Sequence, residues 1–530
     1  MDDDLLLPAP FGVPGALTPR TAAPRALGLA AATGVLGATL LVEQPLGLNL
    51  VVLTATVLAA LAWIAHRTAR PITIGAAGLG ALALVLAACT SWRSAPPLLA
   101  LDLLALLTVL LALVPALRHG DALAVDRAGP LAYVGGAVGS GLRVAVGAPT
   151  LTMRAFESGA GPRSATVAGA GSLVRGVVLA VPVLLLFGAL LTAADQTFAR
   201  WLEGLVAWDM DLVVARVVIA GIVAWGAAGM LHAALLDVPT AAATPDHDRL
   251  TAIGLGVRER LRAAGIGVRE VTVAIALVDL LFLAFGVLQV RWLFGGAASL
   301  GAVGLTVAEY ARSGFFELVA VSALVLPLLL LANGVLDASD GRGARRAFRA
   351  AAGALIGLVL VLLVSAADRM RLYQAAFGLT EQRVYASAFE LWLGMVFVWA
   401  GATLLRGKAA PFALGALVSG WGFVLALNVY NPDARIARVN LARGNAGRVL
   451  DASYLRELST DAAPAMAAAA PALFAHPEAQ VRCEVQRALV LLGERAAHAD
   501  DWRSWSWSRV RAREALRTVA LPDPSSVSCP

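Results

Sequence analysis

A chain of 530 residues that is 59% hydrophobic and only 15% charged is too apolar to be a soluble protein of its size. Its formal net charge of +6 is dispersed among the joints between apolar stretches, which argues against nucleic acid as a partner and for membrane lipid headgroups.

The first residues do not make a secretory signal. Asp2, Asp3 and Asp4 stand where positive charge is needed, and Pro8, Pro10, Pro14 and Pro19 interrupt the stretch behind them. The first apolar stretch, 26–42, is therefore expected to remain in the mature chain behind a cytoplasmic tail at 1–25. Ten more stretches come after it, at 46–65, 71–90, 97–117, 176–194, 212–236, 271–293, 315–336, 350–366, 385–405 and 411–429. A bilayer core of about 30 Å needs roughly 20 apolar helical residues, because each backbone polar group must be satisfied within its own segment. The expected fold is all-α: a polytopic transmembrane helical bundle of about eleven spans over 26–429, with a small helical region at 430–530. The Gly-rich stretch 131–150 carries Arg143 and Pro149, which favour a surface-lying or re-entrant segment over a twelfth span.

Orientation is set by the basic residues. With a cytoplasmic N-terminus, the inner joints hold twenty-one Lys or Arg and the outer joints six, a positive-inside bias. An odd number of spans then places the C-terminal region outside the cell. Lys408 is the single lysine among 42 basic residues, as in a GC-rich bacterial coding sequence, and a bacterial inner membrane is the expected location.

Ionisable groups inside spans are costly and are expected to face the protein interior. Arg216, Asp279, Gln289 and Glu390 form this candidate intramembrane polar set; Asp279 and Glu390 can bind a proton or cation, and the structural alternative is an interhelical pair such as Arg216 with Asp279. Asp102 and His232 lie nearer span ends and carry less information. Gly34, Gly37, Gly75, Gly78, Gly80, Gly221 and Gly226 let helices approach closely, and Pro182 and Pro327 can bend their spans.

Two outer joints concentrate charge. Before the eighth span, Glu309, Tyr310, Arg312, Phe315, Phe316 and Glu317 form an amphipathic approach in which Glu309 and Arg312 can pair. Between the ninth and tenth spans, Asp368, Arg369, Arg371, Tyr373, Glu381 and Arg383 fall within one short segment. In a helix Asp368 and Arg371 share a face, Gly378 can stop that helix, and Thr380 can cap the next. Convergence of the two joints would place guanidinium groups for a phosphate or carboxylate. The plainer role is arginines reaching headgroups, with Tyr373 as an interface anchor.

After the last span, Asn431 and Pro432 close the membrane helix, and Arg435, Arg438, Arg443 and Arg448 mark a basic juxtamembrane helix. Residues 450–466 and 476–495 read as amphipathic helices. Trp502, Trp505 and Trp507, with Arg509, Arg511 and Arg513 behind them, suit either interfacial attachment or cover for the region's own core. Cys89, Cys483 and Cys529 have no metal-ligand spacing, and no metal or cofactor is expected; outside the cell, Cys483 and Cys529 could pair. No P-loop, GxSxG elbow, HExxH or dinucleotide fingerprint stands in its required setting.

Four stretches are more specific than hydropathy: DRMRLYQAAFGLTEQR at 368–383, AEYARSGFFEL at 308–318, LLTAAD at 190–195 and NPDARIAR at 431–438. They resemble a bacterial membrane family known as a domain of unknown function, of the 4153 and 4173 type. The resemblance implies a multi-span membrane protein and transfers no activity. The leading expectation is a membrane protein that transports a small solute or supports an envelope process. The alternative is a membrane enzyme acting on a lipid-linked or phospholipid substrate at the outer face through Arg369, Arg371, Glu309 and Glu381. Membrane lipids are expected partners; nothing in the chain identifies a protein partner.

Overall fold

The computed structural model describes residues 17–119, 130–158, 210–237, 267–293, 315–336, 340–497 and 501–520, with a few single positions between. Fifteen α-helices and no strand occur among them. The helices are α1 (Pro19–Leu41), α2 (Leu48–Arg67), α3 (Ile74–Trp92), α4 (Pro96–His119), α5 (Pro130–Ser158), α6 (Met210–Leu231), α7 (Val268–Leu293), α8 (Phe315–Val335), α9 (Arg342–Phe377), α10 (Glu381–Thr403) and α11 (Ala409–Tyr430). A smaller domain completes the chain: α12 (Pro432–Asn445), α13 (Ala463–Phe474), α14 (Ala479–Ala497) and α15 (Trp507–Leu516). Ten of the described helices, α1 to α4 and α6 to α11, are long and apolar enough to cross a membrane, so the fold is an all-α polytopic bundle. The expected span at 176–194 lies outside the described residues.

Local chemistry sets the helix boundaries. The hydroxyls of Thr18, Thr73 and Thr380 each accept a first-turn backbone N–H, at α1, α3 and α10. Such a cap contributes about 1 kcal/mol. Gly378, at φ 80°, ends α9 where the sequence expects a stop, and Thr380 caps α10 as expected. Asn431 adopts φ 54°, ends α11 and caps α12, whose first residue is Pro432.

Two expectations are corrected. The Gly-rich stretch is one continuous helix, α5, which passes Pro149 without a break and is not among the ten span-capable helices. It packs on α6, where Gly147 meets the backbone of Gly229 and the Trp225 indole N–H donates to Ala145 O at 2.9 Å. Shape fit between small residues, which the charge of Arg143 conceals in the sequence, carries this contact. Gly34 and Gly37 do press against α6, at Ala220, Val223 and Ala224, but Gly78, Gly221 and Gly226 face open space. The segment 450–466 is not one helix: Asp451 accepts from Ser453 Oγ and Tyr454 N, Ser459 caps a short 3-10 turn at Thr460–Ala462, and α13 starts at Ala463 with Pro464 in its first turn. Local side-chain bonds of this kind compete with the helix.

The apolar core falls into connected parts. One joins α1, α2, α4, α5 and α6, and a second joins α7 to α10 with Phe412 of α11. A third brings α11 against α2, α3 and α4. The small domain has its own core around Leu455, Met466, Val485 and Leu489, and reaches Val384 of α10.

This domain caps one end of the bundle. Leu48 N donates to Trp505 O, Arg503 donates to Thr39 O, and Ser94 N donates to Asp461, so the α1–α2 and α3–α4 joints share that end. The α9–α10 joint is there too: Arg443 donates to the carbonyls of Ala375 and Ala376, and Arg448 to Ala375 O, satisfying carbonyls at the end of α9. At the opposite end Arg118 of α4 pairs with Asp237, just beyond α6, at 2.6 Å.

Candidate functional site

The seam between cap and bundle holds a continuous polar system. Arg93 and Ser94 lie in the three-residue joint between α3 and α4, too short to bury its own polar groups. Asp461, on the turn before α13, supplies the partners: it accepts from Ser94 N at 2.8 Å and lies 3.5 Å from Arg93 Nη1. Ser94, Thr460 and Ser508 close a triangle of hydroxyls with sides of 2.7, 2.8 and 2.9 Å. Arg93 Nε donates to Asn428 O at 2.7 Å, and the Asn428 amide donates onward to Asp102, a fully buried residue of α4. One path of polar groups therefore runs from the cap surface into the bundle.

A second acidic group adjoins it. Asp433, also fully buried, accepts from Ser459 N at 2.8 Å. Burial holds its carboxyl above the ordinary carboxylate range, with neighbouring Asp461 adding to the shift and the Ser459 bonds opposing it. Glu381 lies beside it, and the Glu381 backbone N–H donates to Tyr454 Oη at 2.6 Å.

A pocket of about 390 Å³ opens on this seam. Arg93 of the bundle lines it, and Arg438, Thr460, Asp461, Trp507 and Arg511 come from the cap. Asp461 is committed to Arg93 and Ser94. Arg438 uses only Nε, toward Ala434 O, and Arg511 rests against Trp507 at 5.9 Å. Both guanidiniums therefore keep exposed donors without a protein acceptor among the described residues, the fork geometry that grips phosphate or carboxylate.

The residues expected to form the outer cluster are divided. Asp368 and Arg371 do share a face of α9 and pair at 2.8 Å, with the Arg371 side chain 78% exposed. Arg369 is buried. Arg383 stacks on Tyr373 at 4.0 Å and donates to Gly378 O, locking the α9–α10 corner. Glu381 belongs to the seam with Asp433. Glu309 and Arg312 lie outside the described residues, and with them the expected convergence.

Within the bundle, Glu390 is buried in α10 and its Oε1 has no hydrogen-bond partner among the described residues; Asp279 is half-buried in α7 with Oδ1 likewise unpartnered. The Gln289 side chain lies outside the described residues. Arg216 is exposed on α6 and not turned inward, and it makes no ion pair with Asp279 among the described residues. It stands about 9 Å along the helix from its start, at roughly 1.5 Å per residue, close enough for a long side chain to reach the interface.

Sequence reasoning used Arg93 only as a topological charge, set Asp102 aside as a span-end residue, and gave Asp433 and Asp461 no role. One signal did point here: the stretch NPDARIAR at 431–438 supplies Asn431, Asp433 and Arg438. The family model described as Domain of unknown function (DUF4153) matches residues 80–469, well over half of the chain. The chain belongs to the DUF4153 family. Of the two types that the sequence resembles, the 4153 type is the one matched. No curated protein and no solved structure matches the chain. The DUF4153 segment includes Arg93, Asp102, Asn428, Arg438 and Asp461, whereas Trp507, Ser508 and Arg511 lie beyond it. The pocket thus joins a floor within the family segment to a wall from outside it.

Proposed function

We propose that this DUF4153 protein is a multi-pass bacterial inner-membrane protein that binds an anionic ligand at its capped end in support of an envelope process. The uncommitted guanidiniums of Arg438 and Arg511, facing one pocket at the ends of the spans, carry this reading. The capped end is read as extracytoplasmic. The basic clusters at 67–70 and 342–349 belong to the opposite end, and Cys483 is disulfide-bonded, which suits an oxidising compartment.

The test is mass spectrometry of envelope lipids and glycans from a deletion strain, complemented with wild type or with Arg438→Ala/Arg511→Ala. A precursor that accumulates and is cleared only by wild type supports the reading, and an altered product would favour lipid-processing enzymology. An unchanged profile on deletion counts against an envelope role.

A transport reading draws on Glu390, a buried acid in a span with an unpartnered oxygen. It expects proton flux in liposomes that Glu390→Gln or Asp279→Asn abolishes; flux indifferent to both changes argues against it. The enzymatic reading through Arg371 and Glu381 has less support, because Arg371 turns to Asp368 while Glu381 lies at the seam.

A further inference from the structure

The level of the pocket is fixed by the helices that carry it. Arg93 directly succeeds Trp92, the last residue of α3, and Asn431 directly succeeds Tyr430, the last residue of α11. Its floor therefore stands where two spans end, at the depth of lipid headgroups.

Exposed aromatic groups gather at this depth. Trp92 and Tyr430 are 36% and 49% exposed, and Trp502, Trp505 and Trp507 of the cap are 58%, 38% and 43% exposed. The tryptophan strip does not cover the cap's own core, the second of the two roles its sequence allowed. It is pinned at the membrane border, because Trp505 O receives Leu48 N at the start of α2 and Arg503 donates to Thr39 O at the end of α1. Tryptophan and tyrosine with adjoining arginine are the side chains that settle in a headgroup layer. Two of these aromatics bear pocket arginines: Arg93 lies over Trp92 at 4.2 Å, and Arg511 over Trp507 at 5.9 Å. Val429, beside Tyr430 on α11, and Val85, two turns before Trp92 on α3, are exposed apolar surface on helices that touch one another.

We infer that the pocket's ligand is the phosphate headgroup of a membrane amphiphile, which enters sideways from the headgroup layer between Trp92 and Trp507 while its chains stay in the bilayer. This rests on the anion-binding reading above and names the source of the anion. Arg438 and Arg511 take the phosphate oxygens. Arg93 stays with Asp461 and removes the repulsion that a free carboxylate would exert. The volume holds a phosphate with a small substituent, and the exposed valines offer the chains a track.

The experiment uses the full-length protein in phosphatidylcholine nanodiscs and two probes with the same polar group, phosphatidic acid and water-soluble glycerol 3-phosphate. Native mass spectrometry counts retained phosphatidic acid, and calorimetry measures glycerol 3-phosphate. Wild type should retain phosphatidic acid, Arg438→Gln/Arg511→Gln should weaken retention by about tenfold or more, and glycerol 3-phosphate should bind far more weakly. Both substitutions are at exposed positions, and an unchanged thermal midpoint confirms the fold. If glycerol 3-phosphate binds as tightly as the lipid and with the same arginine dependence, the anion site stands and lateral access from the bilayer is overturned. If neither probe responds to the arginine substitutions, this inference and the anion-binding reading both fall.

Discussion

Asn428 on α11 donates its side-chain N–H to Asp102 on α4 at 2.7 Å, across 326 residues of sequence. The bond joins the two halves of the bundle directly beneath the cap. Interhelical hydrogen bonds in membranes contribute about 0.6 kcal/mol on average and up to about 1.7. Asn428→Leu removes the donor and leaves Asp102 buried without it, so a loss of about 1–2 kcal/mol is expected. In a double-mutant cycle with Asp102→Leu the combined loss should be smaller than the sum, read from unfolding midpoints in detergent micelles. Strict additivity would show that the pair does not interact.

Gly34 and Gly221 give opposite expectations for the same substitution. A Cβ on Gly34 would stand 2.5 Å from Ala220 O, so Gly34→Ala must spread α1 from α6 and should cost about 1–3 kcal/mol. Gly221 has open space, and Gly221→Ala should be neutral or stabilising by up to about 1 kcal/mol through helix propensity. Equal effects in a thermal-stability comparison would contradict the packing described.

Asp433 makes cap docking sensitive to pH. Its carboxyl is raised in the folded state, so the neutral form is favoured there. The corresponding stability is fully present below about pH 4, the ordinary carboxylate value, and is lost as pH rises through the raised value. The direction is reinforced by Asp461, which faces the same site. The protection factors of 450–462, which remove the intrinsic rise of amide exchange with pH, should therefore fall as pH rises above about 4 in wild type and fall less in Asp433→Asn, where Glu381 still titrates. A variant that keeps the full pH dependence would remove Asp433 as its source.

Thiol titration reports the compartment of the cap. The chain has three cysteines, of which Cys89 is free and buried and Cys483 is disulfide-bonded; Cys529 lies outside the described residues. Protein denatured without reductant should expose one thiol, and three after reduction. Three thiols without reductant, in protein isolated under alkylating conditions, would place the cap in a reducing compartment.

The spans were legible because a bilayer imposes length and hydropathy on each segment separately. Gly378, Thr380 and Asn431 were legible because caps are local chemistry. The pocket was not, since Arg93 meets Asp461 across 368 residues, and such pairing leaves no periodic trace. Charge also misled: Arg371 and Asp368 stand out in the sequence but satisfy one another on a solvent face, while Asp102, set aside for its position near a span end, is fully buried. Arg216 is exposed on α6, and a long arginine there can reach toward the interface.

Helix α9 has 36 residues and so measures about 54 Å, far more than a bilayer core. Arg443 and Arg448 hold the carbonyls at its capped end, while its other end carries Arg342, Arg345, Arg346 and Arg349 on the opposite side. A rod of that length, tilted by about 5° at the cap, moves its far tip by about 5 Å. An event at the pocket, passed through α12 to the end of α9, therefore has a lever by which to be felt at the opposite end of the bundle.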